Sequence, residues 1–272
     1  MGGKQFGDYL RARREIVRPE DVGLPSGGRR RVPGLRREEL ALLAGISSDY
    51  YLRLEQGRDQ NPSPHVLNAL ARVLQLDGPA TDYLHALAGP PPRDRRPAEP
   101  DRVSPGIRQL IATWWAGTPV IVFNRYMDVL ASNPLAIAMS PIFLPGVNVI
   151  RAAFLDPDVR RLYLDWDDMS IRAVAGLRAL VGTQLEDVRV VELVDELSTK
   201  SPEFQRLWTR HDVSPEGAGV ARMNHPTVGG MTLQYERLTV AGTHGQLIVV
   251  FHAEPGSPSA EKLALLKSPS LP

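Results

Sequence analysis

The side chains of this 272-residue chain that could do covalent or metal chemistry are few and scattered. No cysteine is present, which removes disulfides, thiolate metal sites and cysteine nucleophiles together. The six histidines, at positions 65, 85, 211, 225, 244 and 252, fall on unrelated elements. His65 and His85 sit inside amphipathic helical patterns, and His225, followed by Pro226, reads as a turn or pocket residue. "DWDDM" (165–169) gathers three carboxylates, but it opens a helical pattern, where acids complement the positive end of the helix dipole. No G-x-S-x-G elbow, P-loop, G-x-G-x-x-G or H-E-x-x-H occurs. The expectation is a binding protein and not an enzyme, with no metal and no cofactor.

Two stretches carry binding chemistry instead. "RRRVPGLRR" (29–37) holds five arginines and no acid, in a chain whose formal net charge is only +1. Alone, such a cluster is as often a solvated loop as a contact surface. The second stretch, "AGISSDYYLRLEQGRDQNPS" (44–63), places a glycine turn, two adjacent tyrosines and a glycine-terminated amphipathic run in succession. No apolar run approaches the length needed to span a bilayer, and "GGKQFGDYLRARREIV" at the start is charged throughout, unlike a signal peptide. A cytoplasmic location without membrane contact is expected.

The elements that must position these stretches divide at a proline-rich segment. "GPPPRDRRPAEPDRVSPG" (89–106) has six prolines among charged residues and should form an extended spacer. The expected organisation is a first domain over 1–89, a linker over 90–103, a second domain over 104–254, and a loosely ordered tail over 255–272 around the short helical patch "AEKLALL". The first domain reads as all-α, with five helices. "KQFGDYLRARREIV" puts Phe6, Leu10 and Ile16 toward one face. "LRREELALLAG" turns Leu40, Leu43 and Ala44 inward and stops at a capping glycine. "SSDYYLRLEQG" begins at Ser47 or Ser48. "SPHVLNALARVLQL" and "GPATDYLHALAG" complete the set.

Two helices joined by "AGIS" make a helix-turn-helix, whose second helix can project into the major groove. In that arrangement Ile46, Tyr51 and Leu54 pack inward, Ser48, Asp49, Leu52 and Arg53 face out, and Tyr50 sits at the boundary. The run "EELALLAGISSDYYLRLEQGRDQNPSPHVLNALARVLQLD" resembles the Cro/repressor-type helix-turn-helix in its ELA, AGIS, LEQG and PSPHVLNALA landmarks. With the insert "RPEDVGLPSGGRRRVPGLRREELA" and the downstream "MNHPTVGGMTLQYERLTVAGTHGQLIVVFHAEPGSPSAEKLALL", the chain resembles the MmyB-like transcriptional regulators of actinomycetes over nearly its whole length. That resemblance implies double-stranded DNA as partner and a PAS-like ligand-binding domain in the C-terminal half. It implies that Ser48, Asp49 and Arg53 face bases: Arg53 toward guanine, Asp49 toward a cytosine amino group. Ser47 and Tyr50 would meet phosphates. Glu55 would be structural, paired to Arg14 or Arg13. Beside such a motif Arg29, Arg30, Arg31 and Arg36 gain a use along the sugar-phosphate backbone or in a narrow minor groove.

The second domain reads as α+β, an antiparallel sheet covered by helices. "TPVIVFN", "GAGVARMNHP", "MTLQYERLTV" and "GQLIVVFHAE" are strands. "MDVLASNPLAIAM" runs strand, turn and helix with Asn133 at the turn, and "DDMSIRAVAGLRALVG" and "LEDVRVVELVDELS" are helices. Side chains available to line a pocket are Phe123, Met127, Leu130, Ser132, Met139, Phe143, Phe154, Met223, His225, Tyr235 and Phe251. Each could equally fill an ordinary core. The resemblance favours a pocket for a small apolar or amphipathic ligand such as a fatty acid. The chain departs from its relatives in "RYMDVLASN", which has Met127 and Ser132 where they commonly carry tryptophan; smaller side chains there would reshape the cavity. The alternative is a second domain that only mediates dimerisation or protein contacts, and a homodimer is open under either reading.

Overall fold

The computed structural model describes residues 2–25, 33–59, 61–89, 101–113, 115, 117–182, 187–214, 217–243 and 245–267. They form two compact units, Met1–Arg95 with Arg206–Ser214, and Arg96–Gln205 with Pro215–Pro272. The proline-rich stretch 90–100 lies outside the described residues.

In the first unit the five expected helices are α1 (Gly2–Ile16), α2 (Arg37–Ala44), α3 (Ser48–Glu55), α4 (Pro64–Val73) and α5 (Gly78–Ala88), and a 3-10 turn at Pro19–Val22 follows α1. Their starts are set locally. Ser47, Ser63 and Asp77 each accept a backbone N–H into the first turn of α3, α4 and α5. Along α1, Phe6, Tyr9 and Leu10 are buried, but Ile16 is 45% exposed and Val17 is buried in its place. The helical wheel explains the correction. Residues 6, 10 and 17 share one stripe, whereas 16 falls about 80° away from residue 6. The buried core gathers Leu35, Leu40, Tyr51, Leu54, Leu70, Leu74 and Leu84 around these α1 residues.

The second unit contains a five-stranded antiparallel sheet in the order β2-β1-β5-β4-β3: β1 (Val120–Phe123), β2 (Val129–Ser132), β3 (Ala218–His225), β4 (Gly229–Thr239) and β5 (Leu247–His252). Its helices are α6 (Pro105–Thr113), α7 (Pro134–Met139), α8 (Val149–Leu155), α9 (Pro157–Leu162), α10 (Trp166–Val181), α11 (Val188–Lys200) and α13 (Pro258–Lys267), and it holds the first turn of α12 (Pro202–Trp208), whose residues from Arg206 on belong to the first unit. Asn133 caps α7, accepting from the Ala136 amide at 3.0 Å. The main core lies on one sheet face, where Ile121, Phe123, Leu233, Val249 and Phe251 meet α7, α8 and α13. The other face is not wholly bare: Val103 and Ile111 of the α6 region cover Val120, Val122, Ala131 and Ile248. All four residues of β1 are therefore buried, which accounts for its unbroken apolar run, while β3 alternates in the manner of a strand with one wet face.

One expectation fails outright. Residues 258–267 are no loose tail: α13 buries Leu263 and Leu266 in the main core, and Lys262 Nζ donates to Gly230 O at 2.6 Å. The cue, a short apolar patch among Ser and Pro, was too local to reveal the groove that receives it. Among the described residues no helix is long and apolar enough to cross a membrane.

Candidate nucleic-acid interface and ligand cavity

The turn between α2 and α3 is closed by backbone alone. Gly45 adopts φ 69°, a left-handed conformation that glycine enters without steric cost. Its N–H donates to Leu42 O at 3.2 Å and that of Ile46 to Ala41 O at 3.0 Å, the Schellman pattern. Ser47 Oγ then accepts from the Tyr50 amide at 3.2 Å. This start fixes the azimuth of α3. Tyr51 and Leu54 are buried, Tyr50 and Leu52 half-buried, and Ser48, Asp49 and Arg53 exposed. The adjacent tyrosines thus divide: Tyr51 belongs to the core, and Tyr50 lies at its edge. Arg53 rests over the Tyr50 ring, 5.5 Å from its centroid, with Nε 3.9 Å from Asp59. Burial first, then Asp59, holds the Tyr50 phenol above its ordinary value, so it is a neutral donor.

Below this face, α3 is seated on α1 by charge and by close approach. Glu55 Oε1 accepts from Arg14 Nε at 2.6 Å and Oε2 from Arg37 Nε at 2.6 Å, with its side chain only 3% exposed. Arg14 also donates to Leu35 O at 2.8 Å. Burial alone would raise the Glu55 carboxyl, but hydrogen bonds from Arg14 and Arg37 bring it below its ordinary value. Tyr51 is buried beside this pair; desolvation first, then the Glu55 charge, pushes its phenol well up. Of the two partners expected for Glu55, Arg14 takes the role, while Arg13 pairs with Asp212 at 2.7 Å. Arg37 had no signal in the sequence, because its position depends on how α2 docks. A Cβ at Gly7 would collide with the carbonyl of Glu55, so that glycine lets α1 and α3 cross in backbone contact. Arg36 stands exposed at the start of α2, its amide donating to Glu39 Oε2 at 2.8 Å. Arg29, Arg30 and Arg31 lie outside the described residues.

In the second unit a cavity of about 830 Å³, its mouth included, opens between the sheet and α8 and α10. Phe123, Met127, Phe143, Tyr235 and Phe251 line it, joined by Val149, Ile150 and Ala153 of α8 and Met169 and Ala173 of α10. Three polar groups reach the same space: Tyr163, Arg172 and Arg237. Arg172 donates to Val220 O at 3.2 Å and lies 3.5 Å from Asp165, while the Arg237 guanidinium sits 5.4 Å from the Tyr235 ring centre. Burial above all, then Asp165 and Tyr235, raises Tyr163 far beyond the usual phenol range, so it remains protonated. Met127 holds φ 66°, unusual for a side chain of its size. Asn124 imposes this turn by accepting from the Tyr126 amide at 3.0 Å and the Asp128 amide at 2.9 Å.

The other pocket candidates lie elsewhere. Leu130 packs with the cluster under α6. Ser132 Oγ donates to Phe143 O at 2.6 Å and does not line the cavity. Met139 and Met223 are fully buried in the core without reaching the cavity. Phe154 stacks edge-on against Trp166 and Phe204, at 5.8 and 5.2 Å. His225 locks the β3–β4 turn, with Nδ1 accepting from the Thr227 amide at 3.1 Å and Nε2 3.0 Å from Ala138 O. The missed arginines were readable in part: Arg237 follows Tyr235 by two residues, on the inward side of an alternating strand, and Arg172 shares a helical stripe with Met169.

The arrangement of α1, α2 and α3 defines a helix-turn-helix unit, in one chain with an α+β unit that holds an open apolar cavity. A family model described as a helix-turn-helix domain matches residues 5–84, and one described as the MmyB-like transcription regulator ligand binding domain matches residues 103–266. The second match covers well over half of the chain, which belongs to the MmyB-like transcription regulators. The pair of domains makes it a DNA-binding, ligand-responsive regulator; neither matched family is a catalytic one. None of the curated protein sequences compared with the chain matches it.

Proposed function

We propose that this protein reads a specific DNA site with α3 and adjusts that binding to an amphipathic anion, of the fatty-acid type, held in the second unit. The observation that carries the ligand class is the pairing of an apolar cavity with two arginines, Arg172 and Arg237, at its lining. A guanidinium pair suits a carboxylate head, and the phenylalanine-rich walls suit a hydrocarbon tail. On the DNA side, the exposed Ser48, Asp49 and Arg53 are the proposed base contacts. The Ser47 hydroxyl, whose oxygen already caps α3, keeps its proton for a phosphate. Tyr50 and Arg36 serve the same backbone, with Arg29, Arg30 and Arg31 extending the contact.

The test is direct. Full-length protein stripped of lipid is titrated with hexadecanoate and with hexadecanol. Arg172→Gln combined with Arg237→Gln should weaken hexadecanoate at least about tenfold, the scale of a lost charged hydrogen bond, and leave the alcohol unchanged. If neither compound binds and freshly purified protein carries no small molecule in a native mass spectrum, the second unit serves dimerisation or protein contacts instead.

A further inference from the structure

Nine residues of the first unit come from far along the chain. Arg206–Ser214 belong to the same compact unit as α1–α5, although they fall inside the span matched by the ligand-binding family and outside the span matched by the helix-turn-helix family. They are built into that unit. Val213 packs on its core, and the His211 ring meets Tyr9 of α1 edge-on at 6.3 Å. Asp212 Oδ1 accepts from Arg13 Nη1 at 2.7 Å, and its other oxygen forms an ion pair with Arg210, 2.9 Å from Nε. The pair is mostly enclosed, with 18% of the Arg13 side chain and 23% of the Asp212 side chain exposed. His211 takes φ 55°, a strained conformation for histidine that the surrounding contacts must hold in place.

Arg13 is the immediate neighbour of Arg14, the residue that grips Glu55 at the end of α3. Removing Asp212 would strand a largely enclosed guanidinium on α1 and drive the helix to reorient toward solvent. Any rotation of α1 moves Arg14 and the Gly7 crossing together, and with them the seat of α3.

We infer that Asp212 is a positioning residue for the recognition helix, acting through Arg13 and α1. The assignment to DNA reading rests on the function proposed above.

An operator is first selected from random duplexes with the wild-type protein. Affinities for operator and for a scrambled duplex are then measured without added ligand for wild type, Asp212→Asn, Asp212→Glu, and the reversed pair Arg13→Asp with Asp212→Arg. Asp212→Asn should lower the operator-to-scrambled ratio about fivefold or more, the low end of coupling between sites. Asp212→Glu and the reversed pair should restore most of the ratio. Equal losses on both duplexes, or an unchanged ratio, overturn the assignment. Should Asp212→Asn fail to fold, Arg13→Lys, which keeps the charge but not the fork, carries the same comparison. Because no ligand is present, failure here is distinct from failure of the amphiphile reading, which the hexadecanoate titration decides by itself.

Discussion

Glu55 and Arg14 meet at 2.6 Å in the most enclosed ion pair of the helix-turn-helix unit among its described residues, with side chains 3% and 6% exposed. This pair joins the end of α3 to the last turn of α1. Removing one partner of such a pair leaves a buried charge alone. Glu55→Ala should therefore cost about 3 kcal/mol of stability, more than an exposed pair would. The carboxyl is held below its ordinary value of 4.5, so its contribution is present above that pH and is lost as pH falls through the lowered value. The gap in melting temperature between wild type and Glu55→Gln should be widest near neutrality and close in acid. A gap that stays constant with pH would show that packing, and not the charge, holds α3.

Gly7→Ala tests the same seat by volume. Alanine raises helix propensity by about 1 kcal/mol over glycine, which would favour the variant if space were free. Here the new Cβ runs into the Glu55 and Leu54 carbonyls, and backbone cannot swing aside as a side chain can. Overpacking of about 1–3 kcal/mol should win, with α3 displaced and operator affinity lost. Thermal melts showing a stabilised protein would mean that α1 and α3 are less tightly crossed than described.

What was legible in the sequence follows the range of the interactions. Ser47, Ser63, Asp77 and Gly45 act within one turn of chain, so helix boundaries in the first unit could be read directly. The strands were legible for the same reason, from the runs around Val120–Phe123 and Leu247–His252. Arg37 reaches Glu55 only after α2 has docked, and α13 is ordered only by the groove it fills. The cavity was the least legible part. Phe123 and Phe154 look alike as apolar residues, yet one faces the void and the other is locked between Trp166 and Phe204. Which side chain borders empty space is decided by tertiary packing alone.

Arg53 separates base reading from backbone attraction. Its guanidinium is held loosely, over the Tyr50 ring and 3.9 Å from Asp59, and its side chain is 50% exposed. It can leave both at little cost. Arg53→Ala should weaken operator binding by about 1–3 kcal/mol and relax preference at one base pair, with scrambled DNA hardly affected. Replacing Arg29, Arg30 and Arg31 together should weaken both duplexes alike and flatten the slope of log K against log salt by about 0.9 per lost phosphate contact. Selection from random DNA and a salt series distinguish the two behaviours. Equal loss on both duplexes for Arg53→Ala would make it a phosphate contact.

Two enlargements in the second unit should have opposite consequences. Ala173 lines the cavity from α10, so phenylalanine there extends into open space and adds apolar contact. Ser132 is half-buried off the cavity, and its hydroxyl satisfies Phe143 O at 2.6 Å. Tryptophan there would lose that bond and crowd a filled region, at a cost of about 1–3 kcal/mol before the stranded carbonyl is counted. Ala173→Phe should hold or raise the melting temperature while abolishing hexadecanoate uptake. Ser132→Trp should lower the melting temperature whether or not uptake survives. Melting curves with and without hexadecanoate decide between a cavity and a core. If Ala173→Phe were as destabilising as Ser132→Trp, the space beside α10 would close in solution, and the amphiphile would have no room.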